Sequence, residues 1–134
     1  MERKKKVIII VDDEPDVTLF LQTALEDNGY TALTAANAAE GLSLIRRERP
    51  ALVCLDILMP EESGISLFQK IKSDPEIRDV AVIFDSGLSL ARDFERLDYR
   101  HLPDGTTLPE PDGFIEKPIE AERFLALVEK VLAR

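Results

Sequence analysis

Val7-Ile8-Ile9-Ile10-Val11-Asp12-Asp13-Glu14-Pro15 is the stretch that decides the fold class. Five consecutive β-branched residues with no polar alternation are the pattern of a strand buried on both faces of a parallel sheet. The strand stops abruptly in acid, and Pro15 follows where a helix can begin without wasting an N–H. From there Val17, Phe20, Leu21, Ala24 and Leu25 recur at helical spacing, and Asn28-Gly29 supplies a stop able to take the left-handed conformation.

The same unit repeats along the chain. Tyr30 to Ala35 reads as a second strand and Ala38 to Glu48 as a helix ending before Pro50. Ala51 to Leu55 is a third apolar run and, like the first, ends in an aspartate, Asp56. Gly64 to about Ser73 is a helix closed by Asp74-Pro75, and Val80 to Phe84 is a fourth strand. Leu90, Phe94 and Leu97 carry only a weak helical pattern. Arg100 to Gly113 is a loop by composition, with Pro103, Asp104-Gly105, Pro109, Pro111 and Asp112-Gly113. Phe114-Ile115 is a short fifth strand, and Phe124, Leu127, Val128, Val131 and Leu132 mark a last helix. Five strands alternating with five helices imply right-handed crossovers, a parallel sheet and helices on both faces.

Composition agrees with one domain spanning residues 1–134. The chain has 134 residues, 45% apolar and 32% charged, and a domain of this length buries about two-thirds of its unfolded surface without a disulfide or zinc staple. Twenty-six acidic against 17 basic residues leave a net charge of -9, which repels nucleic acid and anionic lipid. No direct nucleic-acid partner is expected. Arg3-Lys4-Lys5-Lys6 reads as a solvated terminus, and the five apolar residues after it are too few for a secretory signal or a membrane span. A cytoplasmic location is expected.

In an open parallel sheet the chemistry collects at the carboxyl ends of the strands. Here these ends carry Asp12 and Asp13 after the first, Asp56 after the third, Ser86 after the fourth and Lys117 after the fifth. Each has an ordinary structural reading: acidic capping for Asp12-Asp13-Glu14, and turns for Ser86-Gly87 and Lys117-Pro118. Asp56 is the exception, because a carboxylate ending a buried apolar run has no routine structural task. Three carboxylates at one sheet edge repel one another and need a cation. Lys117 supplies one charge, and the set also makes a hard oxygen site of the kind that holds Mg²⁺.

Val11-Asp12-Asp13-Glu14-Pro15, Leu55-Asp56-Ile57-Leu58-Met59-Pro60 with Gly64, Ser86-Gly87 and Phe114-Ile115-Glu116-Lys117-Pro118, in that order, resemble the receiver domains of two-component response regulators, typified by the chemotaxis regulator. The resemblance covers essentially the whole chain. It implies a flavodoxin-like doubly wound α/β fold with strand order 2-1-3-4-5. Asp56 would accept a phosphoryl group from a sensor histidine kinase or a histidine phosphotransfer protein. Mg²⁺, with Mn²⁺ as a substitute, would be held by Asp13 and Asp56 directly, by Asp12 through water and by the Leu58 carbonyl. Lys117 and Ser86 would contact the phosphoryl oxygens, and Ser86 with Phe114 would switch a surface for a downstream protein target or a phosphorylation-dependent homodimer. Lys117-Pro118 matches the family's cis peptide. The molecule would be a signalling receiver, not an enzyme in the ordinary sense, and no output domain is expected after the last helix.

Two features depart from the family. Asp85 occupies a strand position that is usually apolar and is expected to be exposed at a distorted strand end, because burying an unpaired charge is costly. Ser86 to Lys117 is also a longer step than usual, 31 residues, with the surplus in an extended loop about 98–113 that holds His101, expected at the surface. It is read either as a tolerated insertion or as a remodelled partner surface. Two other functions compete: a docking module independent of phosphorylation, and a Mg²⁺-dependent phosphatase of the haloacid-dehalogenase type. The second needs an aspartate two residues after its nucleophile, where this chain has Leu58 after Asp56 or Glu14 after Asp12.

Overall fold

The computed structural model describes residues 6–87 and 99–134. The uninterrupted apolar runs become the centre of the sheet. β1 (Val7–Val11) and β3 (Leu52–Asp56) lie side by side, β2 (Thr31–Ala35) flanks β1, and β4 (Ala81–Ser86) and β5 (Gly113–Glu116) continue beyond β3. All pairs are parallel and the order is β2-β1-β3-β4-β5. The expected strands are all present, shifted at their ends by one or two residues. Most consequential is the extension of β4 through Asp85 and Ser86.

Side chains alternate across a strand, so one run feeds two cores. Ile9, Val11, Val53, Leu55, Val82 and Phe84 face α2 (Ala38–Glu48) and α3 (Gly64–Ser73), meeting Ile45, Leu67, Phe68 and Ile71. Ile8, Ile10, Leu52, Cys54 and Ile83 face α1 (Pro15–Asp27) and α4 (Ala121–Leu132), meeting Leu21, Leu25, Phe124 and Val128. Burial on both faces is why these strands read as continuous apolar runs. Phe20, assigned to the apolar stripe of α1 by its spacing, is instead 44% exposed. Leu21 and Leu25, with half-buried Val17, make the contact of α1 with the core.

Helix ends follow their sequence signals. Pro15 opens α1, and Gly29 takes φ 89° just beyond its end. Asn37 caps α2 by accepting a hydrogen bond from the Glu40 N–H at 2.9 Å. The weak helical pattern at Leu90, Phe94 and Leu97 lies outside the described residues. No described helix is long and apolar enough to cross a membrane.

The proline- and glycine-rich segment is more ordered than its composition suggests. Backbone hydrogen bonds join Leu108 N to Arg100 O at 2.7 Å and Leu102 N to Thr106 O at 2.8 Å, closing a small hairpin around Gly105 with exposed His101 bridged to Thr107. Tyr99 and Leu108 are buried in the α2–α3 core, and the Tyr99 carbonyl accepts from Gln69 on α3 at 2.9 Å. Asp112 ties the segment to β4 twice, donating its N–H to Val82 O and accepting from Val82 N through its carboxylate.

Candidate functional site

The parallel register brings the strand ends to one edge. Asp12 follows β1 and Asp56 ends β3, while Asp85 on β4 is the direct register partner of Asp56. β5 then delivers Lys117. Its N–H donates to the Ser86 carbonyl at 2.8 Å, and the Lys117-Pro118 peptide is cis. The lysine side chain reaches back over the carboxylates. Its Nζ lies 3.0 Å from Glu14 Oε1, 3.2 Å from Asp12 Oδ2, 3.6 Å from Asp56 Oδ2 and 3.7 Å from Asp85 Oδ1.

Asp12 and Asp56 are buried, whereas Asp13 and Glu14 remain accessible to solvent at the mouth. One carboxylate oxygen from each of these four residues lies within 4.8 Å of the others. The backbone holds them in place: Asp12 Oδ1 accepts from Glu14 N at 2.9 Å, and Asp56 Oδ1 accepts from Leu58 N at 3.3 Å. The Leu58 side chain itself is 57% exposed. Gly64, at the start of α3, packs against the Asp56 carbonyl and donates its N–H to Ile57 O at 2.9 Å, fixing the loop that follows Asp56.

Asp85 corrects the sequence expectation. It is fully buried, not exposed, and its Oδ2 accepts a hydrogen bond from the Cys54 thiol at 3.1 Å. The cost of burying it is reduced by Lys117 on one side and the thiol on the other, and neither partner is adjacent in sequence. Glu14, read only as part of an acidic helix start, is the other residue missed. It forms the shortest ion pair to Lys117. A signal for Asp85 was present: an acid breaks an apolar run beside Ser86, just as Asp56 ends the neighbouring strand.

Crowded carboxylates in a desolvated edge resist ionisation. Burial, reinforced by the charges of Asp12 and Asp85, pushes Asp56 up to about 7 against the pull of Lys117 and the Leu58 N–H. Asp85 is likewise raised to about 7 by burial, with the Cys54 hydrogen bond opposing and the Asp12 charge adding to the rise. Burial and then Asp85 hold the Cys54 thiol protonated, as its donation requires. For Lys117 desolvation works against the charge, but the Glu14 hydrogen bond and the charges of Asp56, Asp85 and Asp12 outweigh it and raise the ammonium above its ordinary range.

One ammonium does not balance these acids. Asp12 Oδ2 and Asp85 Oδ1 are buried without a hydrogen-bond partner among the described residues. An all-oxygen donor set with carboxylates open to solvent on one side fits a hard divalent cation that keeps several waters. Ser86 is buried at the end of β4, inside this edge. Phe114 stands apart from the acids on β5, 43% exposed, its ring stacked on Phe84 with centroids 6.0 Å apart.

The model of the response regulator receiver domain family matches residues 8–99. The polar-differentiation response regulator DivK of Brucella anthropi is 31% identical over 128 residues, covering 96% of each chain. The response regulator Rre1 of Synechocystis is 33% identical over 95% of this chain, which spans about half of that longer relative. A CheY-like receiver domain protein from Methanospirillum hungatei superposes with a TM-score of 0.80 at 28% identity, over 97% of this chain and 95% of its own. The signal receiver domain of a histidine kinase from Syntrophus aciditrophicus gives 0.80 at 31% identity, over 96% and 90%. With the sheet order, the acidic edge and these likenesses together, the chain belongs to the response regulator receiver domain family of two-component systems.

Proposed function

We propose that this chain is a phosphoryl-accepting receiver in a two-component phosphorelay and that Asp56 is the acceptor. The observation that carries the reading is the placement of a buried Asp56 carboxylate between Asp12 and Lys117 on the carboxyl edge of the sheet. In the reaction an Asp56 oxygen attacks the phosphorus of a phosphohistidine on a sensor kinase or phosphotransfer protein. The O–P bond forms, the P–N bond breaks, and the imidazole nitrogen keeps the electron pair and takes a proton from solvent.

Asp13, Asp56 and the Leu58 carbonyl would hold Mg²⁺ or Mn²⁺, with Asp12 acting through water; the bound cation offsets the repulsion between carboxylate and phosphate. Lys117 neutralises charge growing on the transferred group, and Ser86 donates a hydrogen bond to it. Desolvation makes both contacts stronger than they would be in water. The product then draws Ser86 inward, and Phe114 follows, shifting the population of a surface that binds a downstream protein or a second copy. We place this activity in the cytoplasm and expect the extended hairpin to belong to the partner-binding face.

Acetyl phosphate with Mg²⁺ should add one phosphoryl group to the protein, read by intact mass, and Asp56→Asn or chelation should abolish the addition. Failure of the wild type to label or to change its amide spectrum would favour a docking role independent of phosphorylation. The phosphoryl group should also be long-lived. Leu58, two residues after the acceptor, and Leu88, two after Ser86 and outside the described residues, carry no group that can orient an attacking water. A half-life of minutes or longer is expected in purified protein with Mg²⁺, and one of seconds would contradict this.

A further inference from the structure

Phosphoryl acceptance as set out above gives no task to Asp85, the most deeply buried acid of the site. Its surroundings suggest one. Asp85 is fixed by the sheet, by register with Asp56 and by the Cys54 thiol on Oδ2. Its other oxygen faces Lys117 Nζ at 3.7 Å, beside the equally buried Asp12 carboxylate, whose Oδ2 is 3.2 Å from the same nitrogen. An ammonium has three protons, yet four carboxylates already surround this one, and a phosphoryl group on Asp56 adds further acceptors. Glu14 is exposed and can swing into water when Lys117 turns to the phosphoryl group. Asp85 cannot.

Resting on the phosphoryl-acceptor reading of Asp56, we propose that Asp85 is a positioning residue acting through Lys117: it holds the ammonium at the floor of the site and competes for it with the phosphoryl group. The phosphorylated state is thereby weakened at rest and made more dependent on a divalent cation. Asp85 touches no phosphoryl oxygen in this scheme; its effect passes entirely through the lysine.

Beryllofluoride with Mg²⁺ at pH 8, followed by fluorine NMR and calorimetry, measures affinity for a phosphoryl mimic without turnover. Asp85→Asn and Asp85→Leu should each bind it about ten-fold more tightly than the wild type, a fraction of the attraction between unit charges about 4 Å apart near a protein surface. The asparagine keeps the volume and polarity of the site should leucine fail to fold, and native amide spectra are the control. Within a Lys117→Ala background the gain from Asp85→Asn should vanish. A merely structural Asp85 would leave affinity unchanged or reduced in folded variants, which overturns the assignment, as does a gain that persists without Lys117. Binding by the wild type with no change in the variants removes the role of Asp85 alone; no binding by any of them removes the acceptor reading of Asp56 as well.

Discussion

Gly64→Val should cost about 3 kcal/mol of stability, and Gly64→Ala nearly as much, because the added carbon enters backbone that cannot yield. A Cβ at Gly64 would lie inside contact distance of the Asp56 carbonyl oxygen, 2.9 Å from its carbon and 3.0 Å from the Ile57 Cα. The glycine is not needed for a left-handed conformation. It is needed because the first turn of α3 rests on the main chain of Asp56 and Ile57. Relief requires moving α3 away from β3, which breaks the 2.9 Å hydrogen bond from Gly64 N to Ile57 O and loosens Leu67 and Phe68 in the core. Urea denaturation should show the loss, with a fall in Tm of about 10 °C. Gly87→Ala is the matched control: none of the described residues lies within 4 Å of its added carbon, and a change within about 0.5 kcal/mol is expected. Equal effects at the two glycines would show that α3 is not seated on the Asp56–Ile57 main chain.

The second large effect is a dependence of stability on pH that runs opposite to ordinary acid denaturation. Asp56 and Asp85 are both raised to about 7 in the fold from the unfolded value of 3.8. Between these values the native state holds more protons than the unfolded chain, so stability falls as pH rises. The stabilisation from protonated Asp56 and Asp85 is complete below pH 4 and lost through pH 7. Glu62, Asp74 and Asp104 are lowered and contribute with the opposite sign. Their share is regained by about pH 5. Lys117, raised above 10.5, loses its contribution only in strong alkali.

From pH 5 to pH 8 in chelator, stability should therefore fall, on the order of 2–3 kcal/mol for each of the two carboxylates taken alone. Mg²⁺ should restore much of this and stabilise more at pH 8 than at pH 5, because it competes with protons for the same oxygens. General repulsion from a net charge of -9 acts in the same direction. Asp85→Asn separates the two: it removes one of 26 acidic groups, a small change to a net charge of -9, but should remove about half of the slope. A Tm that rises from pH 5 to pH 8 without metal would contradict the crowded-carboxylate description.

What could be read directly from the sequence were features set by neighbours along the chain. Unbroken β-branched runs specify strands buried on both faces, and acids or small polar residues ending those runs mark the polar edge of the sheet. Asp12, Asp56, Ser86 and Lys117 all meet there. What could not be read depends on partners distant in sequence. Asp85 looked exposed because an isolated buried charge is expensive, but Cys54 and Lys117, 31 and 32 residues away, share its burial. Glu14 resembled a helix-start acid until Lys117 closed over it from β5. Composition marked Arg100 to Gly113 as loop, yet Tyr99 and Leu108 anchor its hairpin in the core, a contact no local pattern encodes. Phe20 has helical spacing, but Val17, Leu21 and Leu25 make the α1 contact and Phe20 stays at the surface.

The most direct test locates the covalent bond. After reaction with acetyl phosphate and Mg²⁺, borohydride reduces an aspartyl phosphate to homoserine, which tandem mass spectrometry places in the sequence. Homoserine is expected at position 56 and at no other acid of the edge. Homoserine at position 12, 13 or 85, or at none, would contradict it.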